Sequence, residues 1–214
     1  MSLGRMLMRQ LSPVTDQVLL TGVAGVSDTT MLLDAQVTHV LNLARELSDL
    51  TYPETLTEVR RVSLRDAEDE NLLPHLDELA DYVHDVTESG GRIVVHCVAG
   101  VSRSASVCIA YLMKHRDMTL REAHQRVKEA REVINPNSGF WAALIEYEWE
   151  LKGSNSVELM PFVAGSVPSI DSYKKEMMYR MRLGWMDYVF YNIAVQLLLL
   201  VVQMFSVCFF VYDV

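Results

Sequence analysis

The sequence predicts an α/β protein in which a central mixed β-sheet is flanked by helices. Short aliphatic or β-branched runs alternate with segments of helical periodicity as far as His96, and helical patterns alone follow until residue 151. The last run, at residues 92–96, has the apolar core Ile93-Val94-Val95 and leads into a glycine-containing loop. Such a run is typical of a strand that is buried on both faces.

The first part of the chain predicts three strands and one helix. Residues 17–21 and 38–42 are short aliphatic runs, and Ser27 or Asp28 is placed to cap a helix between them. Residues 58–64 form another run of strand type. The expected order is therefore strand, helix, strand, strand.

Helices dominate the rest of the chain. An acidic loop at 66–71 precedes a helix at 72–87, which Gly90 and Gly91 end. After the strand at 92–96 we expect three more helices. They are residues 104–115, residues 119–130 with a capping box from Thr119 to Glu122, and residues 138–151 after the helix-breaking Pro136.

Composition limits the classes of function. A chain of 214 residues, half of them apolar, is long enough for one substantial core with appendages. The formal net charge of -9 argues against a general affinity for nucleic acid, which depends on clustered Lys and Arg. Cys97, Cys108 and Cys208 are too scattered for a disulfide framework or a structural zinc site. We therefore expect a reduced, cytosol-like compartment and no metal.

The segment from His96 to Ser104 carries the chemistry. It places a thiol, Cys97, at the end of a strand and a guanidinium, Arg103, at the start of a helix. Backbone N–H groups in a tight loop at a helix N-terminus form an anion-binding concavity, and their field favours a thiolate. Gly100 lets the backbone turn, Arg103 can hold two phosphate oxygens, and Ser104 can donate a hydrogen bond to the leaving sulfur. The anion should contact Val98, Ala99, Gly100, Val101, Ser102 and Arg103.

Two strings, HCVAGVSRSAS at 96–106 and PNSGFW at 136–141, resemble the small atypical dual-specificity phosphatases of the protein tyrosine phosphatase superfamily. The resemblance covers residues 17–153. It implies the superfamily's α/β fold, with a phosphate-binding loop between a strand and a helix. It also implies hydrolysis of phosphotyrosine and phosphoserine or phosphothreonine in proteins without a cofactor, and it makes mitogen-activated protein kinases candidate substrates.

Residue by residue, the resemblance implies that Cys97 forms a phosphocysteine, Arg103 binds the phosphoryl group and Ser104 assists breakdown of the intermediate. The family's general acid is an aspartate on a loop that follows a strand upstream of the cysteine, and Asp66 matches that placement. The acidic residues at 68 and 69 lie close enough to be alternative candidates.

Four further residues have two interpretations each. His96 either tunes Cys97 electrostatically or is a buried, hydrogen-bonded residue that shapes the loop, and we favour the second. Asn42 and Asn137 resemble family positions that brace the phosphate loop, yet each also suits an ordinary turn or cap. Cys108 lies on an apolar helix face, so we expect it in the core and not in the site.

Two other classes of function share such a loop. A phosphoprotein-binding module keeps the loop with little turnover, but the complete set of thiol, arginine, serine and candidate acid counts against it. A phosphatase acting on lipid or RNA phosphates also shares the loop. In this chain Val98, Ala99 and Val101 are apolar, whereas a polyanionic substrate favours additional basic residues.

The chain divides into four segments: an N-terminal extension at 1–16, the catalytic domain at 17–153, an extension or linker at 154–187 and a hydrophobic segment at 188–212. The last segment has no charged side chain, follows several basic residues and is long enough to cross a bilayer. We expect it to be a membrane anchor that leaves the catalytic domain in the cytosol. A long buried helix, or an atypical C-terminus packed on the domain, is the alternative.

Overall fold

Strands and helices alternate in the first part of the structure, and helices follow one another in the second. The computed structural model describes residues 9–162 and 165–170, so the candidate membrane anchor at 188–212 lies outside the described residues. In chain order the elements are β1 (Ser12–Pro13), β2 (Val18–Thr21), α1 (Val23–Val26), α2 (Thr29–Asp34), β3 (His39–Ala44), a 3-10 turn (Arg45–Leu47), β4 (Glu58–Leu64), α3 (Leu73–Glu88), β5 (Ile93–His96), α4 (Arg103–His115), α5 (Leu120–Ala130), α6 (Ser138–Lys152), β6 (Leu159–Phe162) and β7 (Gly165–Pro168).

The first five strands form one mixed sheet in the order β1-β2-β5-β3-β4, which confirms the predicted fold class. The β1–β2 pair is antiparallel, and the other three pairs are parallel. β5 lies in the middle, and all its residues are buried, as its apolar sequence predicts. Thr21 and Asn42 both pair with His96, so the carboxyl ends of three strands meet at one edge of the sheet. In α/β sheets ligands bind at this edge.

The two faces of the sheet are covered by helices. Leu19, Val40 and Val94 share one row of the sheet and belong to a buried cluster that includes Val26 of α1 and Leu32 of α2. Side chains of the adjacent row point to the opposite face, where α4 packs against β2, β3 and β5. Each helix layer therefore removes one apolar face of the sheet from water.

α4 is the buried helix of the second part, since every residue from Arg103 to Met113 is buried. α3, α5 and α6 all contact it. Cys108 lies within this stretch, and burial raises the pKa of its thiol, so it is a core residue as the sequence predicts. A helix surrounded in this way gives its N-terminus, and the loop before it, a rigid support.

Helix caps occur where the sequence places them. The Asp28 carboxylate accepts a hydrogen bond from the N–H of Met31 at 3.1 Å, so Asp28 is the cap of α2. Thr119 and Glu122 form the predicted capping box of α5. Gly90 follows the end of α3 with φ of 80°, a conformation that glycine adopts without steric cost. These local signals set where the helices begin and end.

Two pieces of secondary structure lie in segments for which the sequence predicts none. β1, at Ser12–Pro13, extends the sheet from within the expected N-terminal extension. β6 and β7 form an antiparallel hairpin within 154–187, and the compact unit runs as far as Pro168. Such short strands carry no periodicity of their own and are recognised only through their pairing. Among the described residues, no helix has the length and hydropathy to cross a bilayer.

Candidate active site

Cys97 lies at the carboxyl edge of the sheet, directly after β5, with 1% of its surface exposed. Its sulfur accepts hydrogen bonds from the N–H of Gly100 at 3.3 Å and from Oγ of Ser104 at 3.2 Å. Hydrogen bonds to an ionised acceptor are stronger than those to a neutral one. The two donors therefore suit a sulfur that carries negative charge, as a nucleophile or as a leaving group.

The loop between β5 and α4 turns its carbonyl groups outward. Four consecutive carbonyl oxygens accept hydrogen bonds from donors outside the loop. The pairs are Val98 O with the Val23 N–H at 2.8 Å, Ala99 O with Arg131 Nη2 at 2.9 Å, Gly100 O with Arg131 Nε at 2.7 Å, and Val101 O with the Asn135 N–H at 2.9 Å. In a trans peptide the C=O and the following N–H point in opposite directions. The N–H groups of residues 99–102 therefore point away from these donors, and that of Gly100 reaches the sulfur of Cys97, which suits an anion-binding concavity.

Two glycines allow the loop to pack on the end of β2. Gly100 has φ of 66°, and a Cβ at this position would lie 2.4 Å from the carbonyl carbon of Thr21. At Gly22 a Cβ would lie 2.8 Å from the carbonyl of Ala99. Both distances are far below van der Waals contact, so a larger residue at either position would displace the loop backbone.

Arg103 is held in one orientation by acceptors on the elements beside it. Its Nη1 donates to Oε2 of Glu46 at 2.6 Å and to the backbone oxygen of Leu64 at 2.8 Å, and the residue is buried. The hydrogen bond from Arg103 lowers the pKa of Glu46, which keeps that carboxyl ionised. Nε of Arg103 is buried without a hydrogen-bond partner and lies 3.8 Å from Oδ2 of Asp66. A buried N–H of a charged guanidinium that has no hydrogen-bond partner suits binding of a phosphate oxygen.

Asp66 follows β4 and is the acidic residue placed beside Arg103. Its Oδ1 accepts a hydrogen bond from Nδ2 of Asn137 at 3.0 Å. Asp69, an alternative acid in the sequence, instead approaches Arg65 at 3.3 Å, and 75% of its side chain is exposed. The side chain of Glu68, the other alternative, is exposed. The geometry therefore favours Asp66 over its two neighbours.

His96 is buried beneath the loop and has a hydrogen-bond partner at each ring nitrogen. Nδ1 lies 3.1 Å from the carbonyl oxygen of Cys97, and Nε2 lies 2.7 Å from the hydroxyl of Tyr52. Burial lowers the pKa of His96 from 6.5 to about 4, so the ring is neutral near pH 7. Because a carbonyl only accepts, Nδ1 carries the hydrogen, and the Tyr52 hydroxyl donates to Nε2. This placement favours the role of shaping the loop over that of tuning Cys97.

The two predicted supporting asparagines lie on different elements, Asn42 in β3 and Asn137 directly before α6. Asn42 accepts from the N–H of Ala44 at 2.9 Å and donates to the carbonyl of Leu47 at 2.8 Å. It therefore holds the 3-10 turn that carries Glu46, the partner of Arg103. Asn137 caps α6 by accepting from the N–H of Phe140 at 2.9 Å. Asn42 thus holds a turn, whereas Asn137 is a helix cap that also contacts Ser102 and Asp66.

Sequence reasoning missed four residues around the site: Glu46, Tyr52, Arg131 and Gly139. The first three hold Arg103, His96 and the loop carbonyls in place. A Cβ at Gly139 would lie 2.0 Å from the carbonyl oxygen of Glu68. The lack of a side chain at Gly139 therefore allows the acidic loop to pack against the start of α6. Two sequence signals were available: Arg131 is a charged residue at the end of an amphipathic helix, and Gly139 lies within the string PNSGFW. Within the described ranges, no group of His, Cys, Asp and Glu side chains is arranged to hold a metal ion.

Together, the fold and the site define a class of protein. A mixed sheet whose central strand delivers a buried cysteine to an anion-binding loop, with an arginine at the start of the next helix, is the architecture of the protein tyrosine phosphatase superfamily. The family model described as "Dual specificity phosphatase, catalytic domain" matches residues 19–150. The chain therefore belongs to the dual-specificity phosphatase family, and it is a cysteine-based protein phosphatase.

Individual relatives agree with this assignment. The chain is 38% identical over 166 residues to dual specificity protein phosphatase 18 of Homo sapiens, which covers 78% of this chain and 86% of that protein. It is 40% identical over 167 residues to dual specificity protein phosphatase 14 of Mus musculus, with 78% and 82% covered. The crystal structure of human DUSP28 is 36% identical and superposes with a TM-score of 0.62 over 66% of this chain and 95% of that chain.

Proposed function

We propose that Cys97 is the nucleophile, Arg103 binds the phosphoryl group, Asp66 is the general acid and Ser104 assists the leaving sulfur. In the first step the thiolate of Cys97 attacks phosphorus, and the bond from phosphorus to the leaving oxygen breaks. Asp66 gives its proton to that oxygen as it departs. The product alcohol or phenol leaves, and a phosphocysteine remains.

The second step releases phosphate. Water attacks the phosphorus of the phosphocysteine, and the Asp66 carboxylate takes a proton from it. The phosphorus–sulfur bond breaks, and inorganic phosphate departs. The electron pair returns to the sulfur of Cys97, where the hydrogen bond from Ser104 at 3.2 Å stabilises the developing negative charge.

One observation carries this proposal: the sulfur of Cys97 already has two oriented donors, the N–H of Gly100 and Oγ of Ser104, and the buried Nε of Arg103, at the start of the same helix, has no hydrogen-bond partner. A transferring phosphoryl group spreads negative charge over its three equatorial oxygens. Donors that are already oriented stabilise this charge without a reorganisation cost. Arg131 and Glu46 supply that orientation by holding the loop and the guanidinium.

The first test is replacement of the nucleophile in the full chain. Cys97→Ser should lower the turnover of p-nitrophenyl phosphate by about a thousandfold or more, because the phosphoryl-transfer step loses its nucleophile. The variant should still bind a phosphopeptide, since the loop donors are intact. Cys108→Ala is the matched control, because Cys108 lies in the core, and it should retain activity. Turnover by Cys97→Ser near the wild-type rate would remove Cys97 from the mechanism.

The second test separates the candidate acids. With phenyl phosphate as substrate, Asp66→Asn should lower kcat by about a hundredfold, within the usual range for loss of a general acid. Asp69→Asn should change kcat little, because Asp69 pairs with Arg65 at the surface. If Asp69→Asn were the slower variant, the acid would have to be reassigned to Asp69.

We also propose phosphoproteins, and mitogen-activated protein kinases among them, as the substrates. The loop side chains Val98, Ala99 and Val101 are uncharged, and Val98 is exposed at the rim. This rim supports binding of a single phosphate on a protein more than binding of a polyanionic lipid headgroup or RNA. Turnover should be measured on doubly phosphorylated kinase activation-loop peptides and on phosphoinositide vesicles. Faster turnover of the vesicles would contradict the proposal, and tight peptide binding without turnover would indicate a binding module.

For location, we propose a cytosolic enzyme that is anchored through residues 188–212. The support is the sequence of this segment, which has no charged side chain and is preceded by Lys174, Lys175, Arg180 and Arg182. Fractionation of cells that express the chain with and without residues 188–214 tests this. The full chain should pellet with membranes and resist extraction by salt. Equal distribution of the two forms would contradict anchoring.

A further inference from the structure

The start of α6 contacts both loops of the site. We call residues 135–139 the bridging segment. On the phosphate-loop side, the N–H of Asn135 donates to the carbonyl of Val101 at 2.9 Å, and the N–H of Asn137 donates to Oγ of Ser102 at 3.3 Å. On the other side, Nδ2 of Asn137 donates to Oδ1 of Asp66 at 3.0 Å. The segment therefore joins the loop that binds phosphate to the loop that carries the candidate acid.

The amide of Asn137 has one orientation that satisfies its partners. Its Oδ1 accepts from the N–H of Phe140 at 2.9 Å, which is the cap of α6. The NH2 group must then lie on the side of Asp66, where it can only donate. Reversal of the amide would place an oxygen against the Asp66 carboxyl and leave the helix N–H without its acceptor. The helix cap therefore determines which group Asn137 presents to Asp66.

This hydrogen bond distinguishes the two oxygens of Asp66. Oδ1 is occupied as an acceptor by Asn137, and in a carboxylic acid the carbonyl oxygen is the better acceptor. The acidic hydrogen is then carried by Oδ2, the oxygen that lies 3.8 Å from Nε of Arg103. Oδ2 therefore lies on the side of Arg103, the residue that we propose to bind the phosphoryl group.

Gly139 provides the space for this arrangement. A Cβ at Gly139 would lie 2.0 Å from the carbonyl oxygen of Glu68 and 2.7 Å from its carbonyl carbon. The first turn of α6 thus touches the backbone of the acidic loop two residues after Asp66. Any side chain at this position would push the loop away, because both contacting atoms are backbone atoms.

We propose that Asn137 and Gly139 are positioning residues for the general acid: Asn137 selects Oδ2 of Asp66 as the oxygen that carries the transferable proton, and Gly139 lets the acidic loop dock on α6. The proposal rests on the role of Asp66 as the acid. This positioning role differs from bracing of the phosphate loop. Asn137 contacts that loop through its backbone N–H, and any residue except proline retains this group. The side chain of Asn137 acts on Asp66.

The test compares two substrates that differ in their need for an acid. Phenol is a poor leaving group and requires protonation, whereas p-nitrophenolate leaves readily without it. Asn137→Ser keeps a good helix cap, but its side chain is too short to reach Asp66. This variant of the full chain should lower kcat for phenyl phosphate by about tenfold and for p-nitrophenyl phosphate by less than about twofold, with vanadate affinity unchanged. Gly139→Ala should show the same selectivity, and Glu146→Gln, at an exposed position of the same helix outside the bridging segment, is the control that changes neither rate.

A double-mutant cycle completes the test. In an Asp66→Asn background, Asn137→Ser should cause no further loss, because the group that it positions is gone. Any of three results would overturn the proposal. They are equal losses of kcat on both substrates in Asn137→Ser, a full additional loss of kcat in the Asp66→Asn background, and weaker vanadate binding. If Asp66→Asn itself shows no leaving-group dependence, the assignment of the acid fails and the proposal fails with it. If Asp66→Asn shows this dependence and Asn137→Ser does not, the positioning role alone is wrong.

Discussion

Acidification from about pH 7 to about pH 5 should destabilise the fold through its buried histidines, and His96 is the member beneath the active-site loop. Burial lowers the pKa of His96 from 6.5 to about 4, and the nearby Arg103 and Arg61 act in the same direction. Burial likewise lowers the pKa of His124 in α5 to about 4. At a pH between the unfolded pKa of 6.5 and the folded pKa of about 4, these histidines are protonated in the unfolded chain and neutral in the folded chain.

The sign and the size follow from proton linkage. Stability from each histidine is fully present above the unfolded pKa of 6.5 and is lost as the pH falls toward the folded pKa of about 4. For one such histidine, the loss between about pH 7 and about pH 5 is about 2 kcal/mol, and it reaches about 3 kcal/mol below about pH 4. His96 and His124 together therefore remove about 4 kcal/mol by about pH 5, a large share of a typical domain's stability.

Urea unfolding at the two pH values measures this effect. His96→Asn keeps a donor for the Cys97 carbonyl but does not titrate, so its loss of stability on acidification should be about 2 kcal/mol smaller than that of the wild type. His124→Gln should show the same reduction. Tyr52→Phe is the matched control. It removes the hydrogen-bond partner of His96 Nε2 but leaves the His96 ring buried, so it should lower stability at both pH values and retain the pH dependence. An unchanged pH dependence in both histidine variants would refute the reasoning.

The remaining predictions concern the supports of the loop and one helix cap. Glu46→Gln removes the charge that holds Arg103, so kcat/KM should fall about tenfold, by equal factors for phenyl and p-nitrophenyl phosphate; a selective loss on phenyl phosphate would assign Glu46 to acid catalysis instead. Arg131→Met removes the donors to two loop carbonyls, which should cost about 2 kcal/mol in urea unfolding and weaken vanadate binding; unaltered vanadate affinity would show that the loop keeps its form without Arg131. Thr119→Ala removes a capping box and should cost about 1 kcal/mol in thermal unfolding, with kcat/KM unchanged, since the cap lies away from the loop.

The predictions that the structure confirms came from patterns of residues close together in the sequence. The strand at Ile93–His96, the loop after it and the helix from Arg103 are contiguous, so apolar burial, a turn glycine and a helix N-terminus are all visible in one short stretch. The capping box at Thr119 is local for the same reason. The short strand β1 and the β6–β7 hairpin were not visible, because their stability comes from pairing and not from periodicity.

The choice among acidic residues shows the limit of local patterns. Asp66 and Asp69 have the same side chain and lie on the same loop, and the sequence alone left both open. In the fold, Arg65 engages Asp69, whereas Asn137 and Arg103 approach Asp66. Contacts between residues so far apart in the chain depend on how the helices pack against the sheet.

The sequence by itself therefore determined the α/β class, the position of Cys97 at the end of a buried strand and the presence of Arg103 and Ser104 at the next helix. Only the tertiary structure decided how these groups are held. Glu46 orients Arg103, Arg131 turns the loop carbonyls outward, and Asn137 holds Asp66. The physical reason is that burial and backbone preference act over a few neighbouring residues, whereas a hydrogen bond between distant segments exists only after the chain has folded.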